Sequence, residues 1–575
     1  MSFARDAPPA TPRELPRDLG ALLGFATATH ARAIAFLVFV SLVSFLPGFF
    51  QVPPIDRDEA RFAQATKQMI ESGDYIDIRF QDDVRYKKPV GIYWLQASVV
   101  RTAEALGIPE ACTTIALYRL PSLIGAIGAV LLTYWTALAF VTRRSAYLAA
   151  LMVATSILLG VEARLAKTDA ALLLCCVAAM GVMARAYLLD RQERAREIGW
   201  LHVAMFWTAL AGGILIKGPL ILMVAGLAAL VLIVIDRSAR WLLRLRPVIG
   251  VIWMLALELP WFLAIMSRSG DTFLVESAGQ DLFGKLFRSA EGHGAPPGYY
   301  FLLFWLTFWP AAPLAAIAAP AVWRHRREAA TRFLLAWLVP SWIIFELVIT
   351  KLPHYVLPLY PAIAILIVRE IQRHDLSENP HLVRTAVMWP IFTALLPVLG
   401  IGVLISLRGQ FGWLAWPFAA GAVIFGFYAW RLYDIDGAEL SLVRATVGAQ
   451  FMGIALFGVL VPLMRPLFPS PAIAALVKED GGCPNPVVAA AGYHEPSLVF
   501  LVGTHTRLVD GSTAAEILKG GGCRIALIES RHERAFGARA DVIGLRYSLR
   551  GRVDAINTNG GRAISVAIYR SEPTP

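Results

Sequence analysis

The sequence predicts an α-helical polytopic membrane protein of about 13 transmembrane helices followed by a small α/β domain. Three observations carry that reading. Hydrophobic residues make up 57% of the 575 and charged residues only 17%, with a mean hydropathy of +0.58; soluble domains carry about 25% charge. Apolar stretches of about 20 residues, long enough to cross a bilayer, recur near 32–50, 113–141, 146–162, 168–188, 199–216, 219–235, 247–266, 298–322, 332–350, 353–369, 385–407, 411–430 and 442–465. Beyond residue 466 the pattern changes to short runs between polar turns.

The order of the chain follows from these segments. Residues 1–30, rich in Pro and Arg, read as a disordered cytoplasmic tail, 31–466 as the membrane domain and 467–575 as the α/β domain. The first span exceeds a signal-peptide core and so reads as retained. Arginines fill every second loop: Arg143-Arg144, Arg191/Arg194/Arg196, Arg237/Arg240/Arg244/Arg246, Arg324/Arg326/Arg327, Arg369/Arg373 and Arg431. Basic loops stay on the cytoplasmic side. The other loops and the tail then face outward. The net charge of +11 fits loop retention and anionic lipid contact. It does not point to nucleic acid, because no basic stretch interleaved with aromatics forms a recognisable module.

The first outer loop, 51–112, concentrates acid, base and aromatic groups. Pro53-Pro54 ends the first span, since proline lacks an amide hydrogen and holds its neighbour extended. Asp56, Asp58 and Glu59 open an amphipathic helix, where acidic groups suit the positive end. Asp58 and Arg61 share a face of it. A Gly73-Asp74 turn and an alternating run from Tyr75 to Phe80 follow, and Lys87-Lys88-Pro89 opens a second amphipathic helix. Further along, Glu162, Arg164, Lys167 and Asp169 crowd one outer helix junction. A charge at mid-bilayer costs about 2.5–3.5 kcal/mol on insertion scales, so embedded ionisable groups line polar cavities. Lys217, Lys285, Arg288, His293 and Lys351 fall on the same side.

In the tail, VVAAAGY, SLVFLVG, CRIALIES and AISVAIYR read as strands, with STAAEILKG and RHERAFGARA as helices between them. Gly520–Gly522 reads as a turn, because no phosphate-loop pattern accompanies it. The five cysteines show no metal spacing. Cys175-Cys176 read as packing residues, and a Cys483–Cys523 disulfide requires that the tail lie in an oxidising compartment. Trp253, Trp261, Trp305 and Trp309 read as interfacial belt residues.

The segments Asp58-Glu59-Ala60-Arg61, Ser72-Gly73-Asp74, Lys88-Pro89 with Tyr93-Trp94, Lys167-Thr168-Asp169-Ala170, Lys217-Gly218-Pro219, Pro296-Pro297-Gly298-Tyr299-Tyr300 and Lys351-Leu352-Pro353-His354-Tyr355-Val356-Leu357-Pro358 occur in this order. In them the chain resembles the GT-C class of membrane glycosyltransferases. Within that class it is similar to bacterial relatives of protein O-mannosyltransferases and of lipid A aminoarabinose transferases. The likeness covers residues 30–370 well and the remainder weakly. Around the loop lysine the chain departs from the aminoarabinose transferases, reading Arg85-Tyr86-Lys87-Lys88-Pro89-Val90, which leaves sugar and acceptor open.

The resemblance implies an inverting transfer of a sugar from a polyprenyl (undecaprenyl) phosphate to lipid A, another glycolipid or a protein. It implies Asp58 as the acceptor-facing carboxylate, a base when the acceptor is a hydroxyl; alone, such an aspartate serves equally as a helix cap. Glu59 would support it. Asp169 is either a third site carboxylate or half of a buried ion pair with Lys167 or Arg164. Arg61 and Lys88 would hold the lipid phosphate, joined by Lys351, His354 and Tyr355. Lys87 reads as a headgroup contact. No cofactor is implied beyond the lipid-linked sugar; a divalent cation near His293 is compatible, and Glu258 and Glu346 are weaker candidates. The competing reading is a transporter or lipid flippase, which would show related halves with paired broken helices; none is evident.

Overall fold

The computed structural model describes residues 17–191, 198–270, 272–275, 294–479 and 486–572. The first helices are α1 (Arg17–Ala26), α2 (His30–Phe45), α3 (Asp58–Ser72), α4 (Gly91–Ala105), α5 (Ile115–Ala137), α6 (Arg143–Ala154), α7 (Ile157–Glu162), α8 (Asp169–Arg191), α9 (Trp200–Lys217), α10 (Leu220–Asp236) and α11 (Pro247–Ser269). Each of the apolar segments read from the sequence is helical. Among the described residues, nine helices are long and apolar enough to cross a membrane. The other segments are broken or short, so the count of about 13 spans is not reached by single helices. α1 and α2 form a pair bent by 114°. The segment 146–162 divides into α6 and α7, and 298–322 divides into Tyr299–Thr307 and Ala312–Arg324. α10 has 17 residues. The chain is a multi-pass membrane protein.

The bundle is centred on α5 and α8, the latter buried along most of its length. The two approach so closely that a Cβ on Gly125 would lie 2.8 Å from the Ala171 Cα. By contrast α11 and Met388–Arg408 expose most of their length, with only 22% of their apolar windows buried. Trp261 and Trp309 lie in the core, while Trp253 is exposed. Trp261 and Trp309, expected in an interfacial belt, pack inside the bundle instead.

One end of the bundle is tied by basic side chains. Asp236 accepts from Tyr187 Oη at 2.7 Å, pairs with Arg191 at 2.5 Å and pairs with Arg332. Glu328 receives Arg369 at 3.0 Å and Arg373 at 2.5 Å, and Arg144 pairs with Glu439 at 2.7 Å. His325 bridges Glu370 at 2.9 Å and Asp375 at 3.5 Å.

The opposite end carries α3, α4 and the C-terminal unit. Gly73 ends α3 at φ 70, a left-handed value that costs glycine nothing. A two-residue ribbon, β1 (Arg79–Phe80) with β2 (Asp83–Val84), precedes α4. The C-terminal unit has strands β3 (Val487–Ala491), β4 (Arg507–Val509), β5 (Arg524–Glu529), β6 (Tyr547–Asn557) and β7 (Arg562–Ser571). They form one sheet in the order β4-β3-β5-β7-β6, parallel in its first half and antiparallel in its second. The expected helices are present as Gly511–Lys519 and Glu533–Val542. SLVFLVG, expected as a strand, is instead the helix Pro496–Val502. Proline suits a first helical position, and Leu498, Val499 and Phe500 are all buried.

Candidate active site

Asp58 and Glu59 open α3 as expected, yet they point to different surroundings. Glu59 is buried at 2% exposure. Its carboxylate receives Arg119 Nε at 2.7 Å and Nη2 at 2.9 Å, and accepts the amides of Ile55 and Ala166, each at 2.9 Å. Arg119 comes from α5 and also donates to the carbonyls of Phe49 and Val52, each at 2.8 Å. A buried charge pair of this kind is tolerable because every remaining lone pair and proton is satisfied. Glu59 thus binds the loop to the bundle and has no oxygen to spare for a substrate.

Asp58 is half-buried. Burial pushes its carboxyl up, but the charges of Lys167, His354 and Arg85 outweigh burial and hold it below the usual carboxylate range, against a smaller opposing effect of Asp169. That electrostatic neighbourhood places Asp58 at the margin of a buried polar cluster. Lys167 Nζ lies 3.3 Å from Glu162 and 3.7 Å from Asp169. His354 Nδ1 lies 3.5 Å from Glu162, and its Nε2 lies 3.6 Å from Asp169. Lys217, at the end of α9, donates to Asp169, and its ammonium sits 5.4 Å from the Tyr355 ring centre. Burial alone would lower the Lys167 ammonium, but Glu162, Asp169 and Asp58 hold it above the ordinary lysine range.

Local structure explains the convergence. The chain bends between α7 and α8, so Glu162, Lys167 and Asp169 all come from one helix junction. Pro353 and Pro358 keep Pro353–Leu359 in a 3₁₀ turn rather than an α-helix, which lays His354 and Tyr355 against that junction. Glu162 Oε2 and Asp169 Oδ2 are buried without a hydrogen bond.

Among the other expected residues, Arg61 is half-buried, and its side chain makes no hydrogen bond or ion pair to a described residue. Lys88 is half-buried and Lys87 exposed. Lys351 donates to the carbonyls of Glu346 at 2.9 Å and Val348 at 2.5 Å, which satisfies the end of helix Ala329–Leu347. Glu346 accepts the amides of Gly298 at 2.9 Å and Phe301 at 3.1 Å, also in a structural place. Glu258 is buried on α11. His293, Lys285, Arg288 and Cys483 lie outside the described residues. Cys523 is disulfide-bonded, whereas Cys112, Cys175 and Cys176 are free.

Sequence reasoning missed Arg85. Its guanidinium stacks 5.1 Å from the Phe62 ring centre, its Nε is buried without a hydrogen bond, and its charge acts on Asp58. The basic run Arg85-Tyr86-Lys87-Lys88 carries the signal that could have found it.

Glu162, Asp169 and His354 each turn one ligand atom to within 4.8 Å of the others. Two lysine ammonium groups already lie on those carboxylates. A divalent ion there would meet both like charges, so the donor set fits a lysine-neutralised cluster better than a resident metal.

Residues 109–268 match the family of dolichyl-phosphate-mannose-protein mannosyltransferases. The undecaprenyl phosphate-alpha-4-amino-4-deoxy-L-arabinose arabinosyl transferase of Erwinia tasmaniensis is 28% identical over 319 residues, which is 54% of this chain and 54% of that protein. The enzyme of the same name from Edwardsiella ictaluri is 27% identical over 430 residues, 72% of each chain. The chain thus spans from about half to under three quarters of the length of these relatives. The crystal structure of ArnT from Cupriavidus metallidurans bound to undecaprenyl phosphate aligns with 94% of this chain and 98% of its own, at a TM-score of 0.72 and 18% identity. Its apo form aligns at a TM-score of 0.69. The chain thus shares the fold of the ArnT structures and is similar in sequence to the undecaprenyl phosphate-aminoarabinose transferases.

Proposed function

We propose that this protein is a membrane glycosyltransferase that moves a sugar from a polyprenyl phosphate donor to an envelope acceptor. The observation that carries the reading is Asp58, a carboxylate held ionised at the edge of a buried cluster of lysines, His354 and two further carboxylates. The relatives named as arabinosyl transferases support a lipid-linked sugar as donor.

In the proposed step the acceptor oxygen bonds to the anomeric carbon while the bond from that carbon to the phosphate oxygen breaks. The electron pair leaves with polyprenyl phosphate, and a single displacement inverts the anomeric centre. When the acceptor is a hydroxyl, its proton goes to Asp58; when it is a phosphate, Asp58 orients it. Arg61 and Lys88 neutralise the charge growing on the departing phosphate. Asp169 and Glu162, each with a buried oxygen lacking a hydrogen bond, are placed to accept sugar hydroxyl or amino groups. His354 lies beside both carboxylates and Tyr355 beside Lys217, and Lys351 and Glu59 act by holding backbone.

The arginine-tied end is assigned to the cytoplasm. The site and the 467–575 domain then lie in the periplasm of the inner membrane, which agrees with a disulfide at Cys523. Purified protein in liposomes, given undecaprenyl-phosphate aminoarabinose and lipid A, should yield glycosylated lipid A. Movement of the labelled donor between leaflets with no glycosidic product would favour a flippase instead.

A further inference from the structure

We infer that the C-terminal unit is part of the transfer machinery, positioning Asp58 through a two-point strap on Asp56 and Arg57. The inference rests on the glycosyl-transfer reading above. Arg57, the residue before Asp58, has φ 69 and ψ −110. A side chain with a Cβ rarely occupies that region, and such conformations cost about 1–3 kcal/mol unless the surroundings over-determine them.

The surroundings here belong to the tail. Asp56 Oδ1 accepts the Ser497 amide at 2.9 Å, and Arg57 Nη2 donates to the Asn559 carbonyl at 3.3 Å. Each anchor is itself fixed. Asn557 Nδ2 donates to Glu495 at 2.8 Å, Asn559 donates to the other Glu495 oxygen, and the Asn559 amide donates to Asn557 Oδ1 at 2.9 Å. Ser497 Oγ pairs with Ser470 Oγ at 2.6 Å, which in turn meets Tyr493 Oη at 2.9 Å. Glu495 thereby ties the β6–β7 turn to the start of helix Pro496–Val502, so both strap points move as one body.

The same body grips the rest of α3. Lys67 Nζ donates to the Phe500 carbonyl at 2.9 Å and Gln64 Nε2 to Thr504 Oγ1 at 2.9 Å. Thr504 donates to Glu71 at 2.6 Å. Gln81, on the β1–β2 turn, reaches the Thr504 and Thr506 carbonyls at 3.0 and 2.5 Å. Phe500 is fully buried beside α3 and α5, its ring edge-on to Tyr118 at 5.3 Å. A module merely tethered to the membrane domain would make exposed, sparse contacts. This one is wedged against the helix that carries Asp58, while Glu59 and Arg119 hold the opposite side. The tail and the bundle therefore fix one turn of chain from two directions.

The test uses the full-length protein in nanodiscs with lipid-linked sugar and acceptor. Asp56→Ala combined with Arg57→Gly removes both ties while relieving the backbone, since glycine accepts positive φ. At least a 10-fold loss of kcat is expected, with little change in donor KM or melting temperature. Faster amide exchange at residues 55–60 but not in β5 should accompany it, and Asp56→Asn alone, which keeps the acceptor oxygen, should retain transfer. Unchanged kcat in the folded double variant would overturn the strap. So would a loss matching only the unfolded fraction. Absence of transfer by wild-type protein would instead overturn the reading on which the strap rests, and the exchange experiment reads the strap independently of it.

Discussion

Glu59 and Arg119, 60 positions apart, meet side by side through two hydrogen bonds at 2.7 and 2.9 Å, both fully buried. Their pairing takes up Glu59 and leaves the adjacent Asp58 beside the Lys167 and His354 charges. Removing one partner leaves a buried charge without compensation, which costs about 3–5 kcal/mol. Glu59→Ala and Arg119→Ala should therefore each lower stability by that order, measured by denaturant unfolding in micelles, whereas Asp58→Asn, which breaks no such hydrogen-bonded pair, should cost clearly less. Equal destabilisation by Asp58→Asn would contradict the division of roles.

This pairing also marks where sequence reading stopped. The helix beginning at Asp58, its glycine stop at Gly73 and the second amphipathic helix after Pro89 were all legible, because each depends on local pattern. That Asp58 and Glu59 differ was not, since the difference comes from an arginine on another helix. Lys351 looked like a phosphate ligand by its neighbours, yet it closes a helix end, because its carbonyl partners lie only a few residues back. Phe500 looked like a strand residue because its run is continuously apolar, a pattern a short buried helix shares. Proline before it and burial against α3 settled the matter in favour of helix.

Asp58 should remain ionised throughout the working pH range. Its folded value lies below the unfolded one, so the stability it contributes is present above about pH 4 and is lost as pH falls through the depressed value. Arg85→Gln removes one of the charges responsible. The acidic limb of the kcat/KM profile should move up by as much as about 1 pH unit. A limb that stays in place would show that Arg85 does not act on Asp58.

Asp56 behaves in the opposite sense. Burial pushes its carboxyl up to about 6, with Glu495 adding to the rise and hydrogen bonds from Ser497 opposing it. Ionising it therefore costs stability, so the tail docks most firmly below about pH 4 and loosens as pH rises through 6. Asp56→Asn should flatten this dependence and stabilise the protein at pH 8 by on the order of 1–2 kcal/mol. Thermal melting in detergent between pH 4 and 8 reads the effect, and a variant with the wild-type pH slope would refute it.

Close helix packing sets a third sensitivity. A Cβ on Gly125 would fall 2.8 Å from Ala171 backbone, and one on Gly91 would fall 2.8 Å from Leu215 backbone. Gly125→Ala and Gly91→Ala should each cost about 1–3 kcal/mol by forcing helices apart. Gly226, within α10 and with nothing inside 4 Å, is the control. Its change to Ala should be neutral or stabilising by up to about 1 kcal/mol. Equal melting temperatures for all three variants would contradict the packing.

Asp58-dependent transfer from a lipid-linked donor to an envelope acceptor should leave its mark on the cell envelope. Mass spectrometry of envelope lipids and glycans should compare cells lacking this gene with the same cells carrying wild type or Asp58→Ala. One sugar mass should disappear without the gene and return only with wild type. Full restoration by Asp58→Ala, or unchanged glycans with a polyprenyl lipid accumulating on one leaflet, would contradict it.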